Sequence, residues 1–390
     1  VETLNRLLQD KKLLRYSLIL FIGEFVRGAV ILSLLPLYQL DYWVVGVAVT
    51  AHYATDTISK LGVGYLVDRF SPRLMTSLGL LLAIISLFLM VYIPLPWVVI
   101  SAAAMLGLGI SPVWIACLAT VRDEQRGTQM GFLYTLWLAG MGGGPVIMNF
   151  FVSYGHTMSF LGLAILLGIG FLISLGIERA QATDLHIMPI RQQLQILVHK
   201  MNAMKILVPG MILQTLGASM LLPILPDFAQ RWVGLTPSQY SFMLMTGGIC
   251  AALGLIPMGR LSDKYGKKPF LVTGFCILAL ALYVLTQTDT ILFALLWAVI
   301  LGLSYSAVLP AWNALLSYYV PPNQEGVGWG LLNTVEGIGI AIGPSLGGAI
   351  GSLFTVAAPI EIAAAIFLFI GIFYLFVPIK GIANPTHVRS

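Results

Sequence analysis

An acid and a base stand in the middle of an apolar run. Residues 18–36 read LILFIGEFVRGAVILSLLP, with Glu24 and Arg27 three positions apart. That spacing is one face of a helix. A carboxylate and a guanidinium so placed can pair, exchange a proton or hold a polar group. A second run contains HYATDTISK, residues 52–60, in which His52, Asp56 and Lys60 recur at every fourth position. A charge at the centre of a bilayer-spanning helix costs roughly 2.5–3.5 kcal/mol on insertion scales, so such residues face a cavity or a partner. Glu24 lies about ten residues into its run, roughly 15 Å deep at 1.5 Å per residue. Asp56 lies about ten residues before the end of its own run, and Lys60 reads as a residue snorkelling to the interface. Two readings are open. One is a salt bridge that holds the two spans together; the other is a wet pocket with a protonatable acid, flanked by His52. Two acids around one midplane base exceed what a simple pair requires, which favours the pocket.

The elements that carry these residues follow from composition. The chain has 390 residues, 58% hydrophobic and 9% charged, whereas soluble proteins average about 25% charged. About twenty apolar residues cross a bilayer. Apolar runs fall at 14–38, 43–66, 74–92, 95–119, 126–152 and 158–177, then at 205–228, 238–260, 269–286, 290–317, 327–353 and 357–379. The expected fold is an all-α membrane protein of twelve spans in two six-helix bundles, 1–177 and 205–390, joined by a polar stretch at 178–204. Within that stretch Ile190, Leu194, Leu197, Val198 and Met201 make one apolar stripe, which reads as an amphipathic linker at the cytoplasmic interface. The first run is too long and too charged for a cleaved signal and reads as a retained helix. Lys and Arg crowd the N-terminus and the even-numbered junctions, with only Arg231 in the odd ones, so both termini are expected in the cytoplasm. The net charge of +5 is scattered over short loops and points to no nucleic acid. Cys117, Cys250 and Cys276 sit in apolar runs as small buried side chains. The chain has no HExxH and no cysteine–histidine pairing suited to catalysis, so it is read as a non-enzyme. It is expected to use no metal or cofactor, only protons as a coupling ion.

The two halves repeat. GYLVDRFSPR (64–73) matches GRLSDKYGKK (259–268), and LGLGIS (106–111) matches LGLSYS (301–306), both at an offset of 195. SPVW (111–114) pairs with LPAW (309–312), and GGGP (142–145) with AIGP (341–344). Such parallel repeats belong to transporters with a central site. Aligning LLP (34–36) with ILP (224–226) sets Glu24 opposite Gln214 and Arg27 opposite Gly217, while Asp56 falls opposite Ala251. The second half has lost the three charges. The expected cavity is charged on one side and apolar on the other, which suits an amphipathic substrate.

The G-x-L-x-D-R-x-x-x-R loop at 64–73, doubled at 259–268, resembles the signature of the major facilitator superfamily. GIAIGPSLGG in span 11 resembles that superfamily's glycine-proline antiporter motif, which usually sits in span 5; here span 5 has the weaker GMGGGPVIMN. EFVRG, HYATD, SPVW, RGTQMGF and LPAWN resemble, more narrowly, the glycolipid flippases of lipoteichoic acid assembly in Gram-positive bacteria. This resemblance implies a monomeric multi-pass protein of the bacterial cell membrane. It would move a diglucosyl-diacylglycerol anchor from the inner to the outer leaflet by proton antiport. A proton-coupled multidrug exporter of the same superfamily is the alternative.

Other residues take secondary places. By resemblance Gly64, Asp68, Arg69 and Arg73, with Gly259, Asp263 and Lys264, are cytoplasmic latches. Trp114 and Trp312 occupy matching places in spans 4 and 10 and either pack, stack on a sugar or contact acyl chains; Trp137 in span 5 joins them as a cavity candidate. Asn313 and Asn333 are amides that either line the cavity or join helices. Glu336, in NTVEGIGIAIGP, is a second proton site, a ligand for a polar group, or an interfacial residue paired with a loop base.

Overall fold

The structure, a computed structural model, describes residues 11–37, 40–118, 126–177, 204–317 and 325–377. Within these, the side chains at 60–70, 118, 126–131, 134, 256, 317, 325–331 and 333 lie outside the description. Nearly everything described is helix. The first unit holds α1 (Lys11–Ala29, continued by a π-helical turn Val30–Leu34), α2 (Tyr42–Phe70), α3 (Pro72–Tyr92), α4 (Pro96–Leu118), α5 (Arg126–Phe151) and α6 (His156–Leu175). The second holds α7 (Val208–Met220, followed by a π-helical turn Phe228–Trp232), α8 (Pro237–Tyr265), α9 (Lys267–Leu285), α10 (Ile291–Ser317), α11 (Glu325–Leu353) and α12 (Ala358–Phe376). Among the described residues eight helices are long and apolar enough to cross a membrane, and two bent pairs bring the number to ten. The two remaining long helices, α2 and α11, carry Asp56 and Glu336. The linker at 178–203 lies outside the described residues.

Local chemistry sets the boundaries. Prolines open α3, α4 and α8, where a missing N–H is harmless. Thr236 caps α8 reciprocally with Gln239: its hydroxyl accepts from the Gln239 N–H at 3.2 Å, and its own N–H donates to Gln239 Oε1 at 2.8 Å. The repeated loop motif makes the same backbone corner twice. Ser71 has φ +112° and Gly266 has φ +92°, at the 195 offset. Glycine adopts this region freely and serine does not. Ser71 recovers part of the cost by capping α3, accepting from the Leu74 N–H at 3.3 Å. Within α11 the letters GPSLG (343–347) spell a G-x-S-x-G pattern. They run through continuous helix, not the strand-to-helix turn that a nucleophilic serine of that motif requires.

Each unit packs its six helices in the same order. In the first, α1 packs on α5 and α6, α2 on α4, and α3 on α4 and α6; in the second, α7 packs on α11 and α12, α8 on α10, and α9 on α10 and α12. Consecutive helices are main neighbours at α3–α4 and α9–α10 but not at every step. In particular, α1 and α2 do not form a closely packed pair, contrary to what their short connection predicts.

Glycines make the tight contacts. A Cβ on Gly140 would lie 2.8 Å from the Phe21 carbonyl and 3.1 Å from Glu24 Cβ, and one on Gly144 would lie 2.2 Å from the Phe25 carbonyl. In the second unit Gly339 meets the Ile212 carbonyl and Gly343 the Leu216 carbonyl in the same way. These pairings fix the register between α1 and α7 at 191, not 190. Glu24 stands opposite Thr215, Arg27 opposite Ala218, and Gln214 opposite Gly23. Gly107 against the His52 carbonyl and Gly302 against the Gly247 carbonyl fix α4 and α10 at 195. Trp312 then matches Cys117, and Trp114 matches Leu309, so the two tryptophans are not equivalent. A short motif slides more easily than a helix contact.

Candidate functional site

Glu24, Arg27 and Asp56 come together inside the first unit. They are 1%, 6% and 4% exposed. Arg27 Nη1 lies 3.2 Å from Glu24 Oε1, and its Nη2 donates to Asp56 Oδ1 at 3.0 Å. Glu24 and Arg27 share a face of α1; Asp56 comes from α2. Since the two helices are not packed closely, the guanidinium bridges the gap as a long arm. Its Nε has no hydrogen-bond partner among the described residues. Gly140 of α5 stands behind Glu24, and its lack of a side chain lets α1 seat there. Two buried carboxylates thus share one cation.

Sequence reasoning missed Tyr53. Its phenol interacts electrostatically with Arg27, Glu24 and Asp56. A tyrosine is ordinary in a membrane helix; the only signal was its place one turn before Asp56. His52, expected to flank the cluster, is turned to α4. Its Nδ1 lies 3.2 Å from the Ala103 carbonyl, which can only accept, so that nitrogen carries the hydrogen. Beside it Thr55 donates to the Ala104 carbonyl at 2.9 Å.

A second polar group sits in the second unit. Gln214 Nε2 and Trp312 Nε1 each donate to Glu336 Oε1 at 3.0 Å, and the Thr215 hydroxyl donates to the Glu336 carbonyl at 2.7 Å. Among the described residues Glu336 is thus held by an amide and an indole rather than by a loop base. This unit is not wholly apolar: it holds its own half-buried acid, with an amide and an indole in place of a cation. Trp312 is 1% exposed, lying edge-on to Phe275 at 6.4 Å and 5.8 Å from Tyr374 between ring centres. It has no free face for a sugar. Tyr305 interacts electrostatically with Glu336.

The remaining candidates scatter. Trp114 and Trp137 are half-buried, and Asn313 is exposed. The side chains of Asn333, Gly64, Asp68 and Arg69 lie outside the description. Asp263 and Lys264 are exposed; Asp263 pairs with Lys267 at the start of α9, and Lys264 covers the Tyr265 ring at 5.2 Å. Arg73 is half-buried and Gly259 lies against Pro310. The three cysteines are thiols, not disulfides; Cys117 is buried and donates to the Tyr16 carbonyl at 3.3 Å, while Cys250 and Cys276 are half-buried.

The chain matches the Major Facilitator Superfamily model over residues 16–186 and 207–390. It is 32% identical over 382 residues to the proton-coupled antiporter flippase LtaA of Staphylococcus saprophyticus, covering 96% of each chain. It is 33% identical to the protein of that name from Staphylococcus haemolyticus, covering 94% of each, and 29% identical to that from Staphylococcus aureus, covering 96% of each. Among solved structures it is similar to the nucleoside transporter NupG. A point mutant of that protein matches with TM-score 0.75 and 13% identity, covering 95% of this chain and 100% of that one.

Proposed function

The chain belongs to the major facilitator superfamily, and on that basis we propose that it is a proton-coupled antiporter flipping a glycolipid of the diglucosyl-diacylglycerol type. The lipid moves from the inner to the outer leaflet, for lipoteichoic acid synthesis. The name carried by its staphylococcal relatives supports proton coupling and flipping. The observation that carries the reading is the buried triad: two carboxylates on one guanidinium, 3.0 and 3.2 Å away.

The chemistry follows from sharing. A carboxylate beside a cation holds a proton less readily than one in an apolar pocket without it. When Arg27 leans on one acid, the other can take a proton. When sugar hydroxyls of the substrate draw on either acid, the arm moves and the proton leaves. Proton and substrate thereby exclude one another, as antiport by alternating access needs. An inward proton gains about 2.3 kcal/mol per 100 mV of membrane potential. In this reading the protein acts as a monomer in the bacterial cell membrane with both termini in the cytoplasm.

The test is a leaflet assay in proteoliposomes with fluorescent diglucosyl-diacylglycerol and an imposed pH gradient. Glu24→Gln and Asp56→Asn should each abolish the gradient-driven component. Gradient-driven flipping that persists in both variants removes the triad from coupling. A drug-efflux assay run in parallel separates the flippase from a multidrug exporter.

A further inference from the structure

Glu336 receives both of its side-chain hydrogen bonds on one oxygen. Gln214 and Trp312 donate to Oε1, and Oε2 accepts none among the described residues. This arrangement is rigid. An indole N–H can only donate, and the Trp312 ring is clamped by Phe275 and Tyr374. Gly339, less than one turn on, presses α11 onto α7, since a Cβ there would lie 2.3 Å from the Ile212 carbonyl. The carboxylate can only accept, so Gln214 must present its amide nitrogen to it, and the amide oxygen is left without a donor among the described residues. Oε2 of Glu336 and Oε1 of Gln214 are thus two neighbouring acceptors in a half-buried setting. No lysine or arginine among the described residues pairs with Glu336.

A group that satisfies two adjacent acceptors must bring two donors and no negative charge. Neighbouring hydroxyls of a sugar do this. A phosphate-headed lipid brings a charge of the wrong sign, even where, as in phosphatidylglycerol, its head also carries a diol. We propose that Glu336 Oε2 and Gln214 Oε1 form a head-group contact in the second unit that accepts the hydroxyls of an uncharged sugar and rejects phosphate-headed lipids. The proposal rests on the glycolipid reading and adds its selectivity. Glu336 is then a specificity residue, distinct from the coupling acids on α1 and α2.

The experiment is native mass spectrometry of the whole chain in detergent, with equal amounts of diglucosyl-diacylglycerol and phosphatidylglycerol. The wild type should retain the glucolipid in preference. Glu336→Gln keeps the shape, loses the charge and gains a donor, so the preference should fall by about tenfold, partly through phosphatidylglycerol binding. Gln214→Leu, the second variant, removes that acceptor together with the N–H that Gln214 gives to Glu336 Oε1, and leaves the carboxylate charge in place. It should weaken the glucolipid by about fivefold without admitting phosphatidylglycerol. Thermal unfolding confirms that each variant is folded. If the wild type flips the glucolipid and neither folded variant changes lipid preference, this inference is overturned and the flippase reading stands. If the wild type retains phosphatidylglycerol as well as the glucolipid, the inference also fails. If the wild type retains the glucolipid selectively but flips none of it in the leaflet assay, the flippase reading fails while the contact remains.

Discussion

Arg27 holds two carboxylates through its two terminal nitrogens, and this makes the three side chains unequal under substitution. Asp56→Asn leaves Arg27 one partner. Arg27→Met leaves two buried acids without their cation. Breaking a buried ion pair costs about 3–5 kcal/mol, whereas replacing all charged members by neutral groups of similar size is often tolerated. Arg27→Met should therefore lower the thermal midpoint most. Adding Glu24→Gln and Asp56→Asn to it should restore most of the loss, even though coupled transport stays absent. Midpoints that fall steadily with each added change would contradict this account. These three residues were legible in the sequence because charge in an apolar run is costly and so conspicuous. Tyr53 and the hydrogen bonds of Trp312 were not, because aromatic residues are at home in a membrane and their partners come from distant helices. The expected pairing of the two tryptophans failed for a related reason: a shared Pro-x-Trp says little about which helical turn a side chain occupies.

At the scale of elements, the glycines of α5 divide into two kinds. Gly140 and Gly144 touch the α1 backbone, while a Cβ on Gly142 or Gly143 would meet nothing within 4 Å. Gly144→Ala should destabilise strongly, since its Cβ would fall 2.2 Å from the Phe25 carbonyl and α1 would have to shift. Gly142→Ala and Gly143→Ala should be neutral or raise stability by about 0.5–1 kcal/mol, the usual gain on replacing glycine within a helix. Thermal unfolding in detergent distinguishes the sets, and equal effects at all three would refute the seating of α1 on α5. The loop corners give a parallel test. Gly266→Ala should cost about 1 kcal/mol by forcing a side chain into a left-handed conformation. Ser71→Gly should be far milder, because relief of strain offsets the lost cap. The sequence motif located both corners, and their handedness followed once Gly266 was seen at one of them. The neighbour order of the helices was not legible. Short connections suggested that α1 and α2 pack together, but the glycine surfaces that choose α5 for α1 lie more than a hundred residues away.

For the molecule as a whole, transport should follow the proton gradient. A protonophore should abolish gradient-driven movement of the glucolipid in proteoliposomes while leaving any slow equilibration intact. Unchanged net accumulation after the gradient collapses would exclude antiport. The duplication was legible from motifs, because backbone corners and close approaches need particular residue types. Its register in α1 and α7 was not, since one residue of slip turns a helical position by about 100° and only contacts detect it. With the register corrected, the buried acids of the two units prove not to be copies. Glu24 sits on the first helix of its unit, where the second unit has Thr215. Glu336 sits on the fifth helix of its unit, where the first unit has Trp137. The same glycine-lined seam, between first and fifth helices, acquired a carboxylate from opposite sides. A doubled gene with such a seam has two independent places to try a charge, so one can be tuned to the ion while the other drifts toward a new cargo.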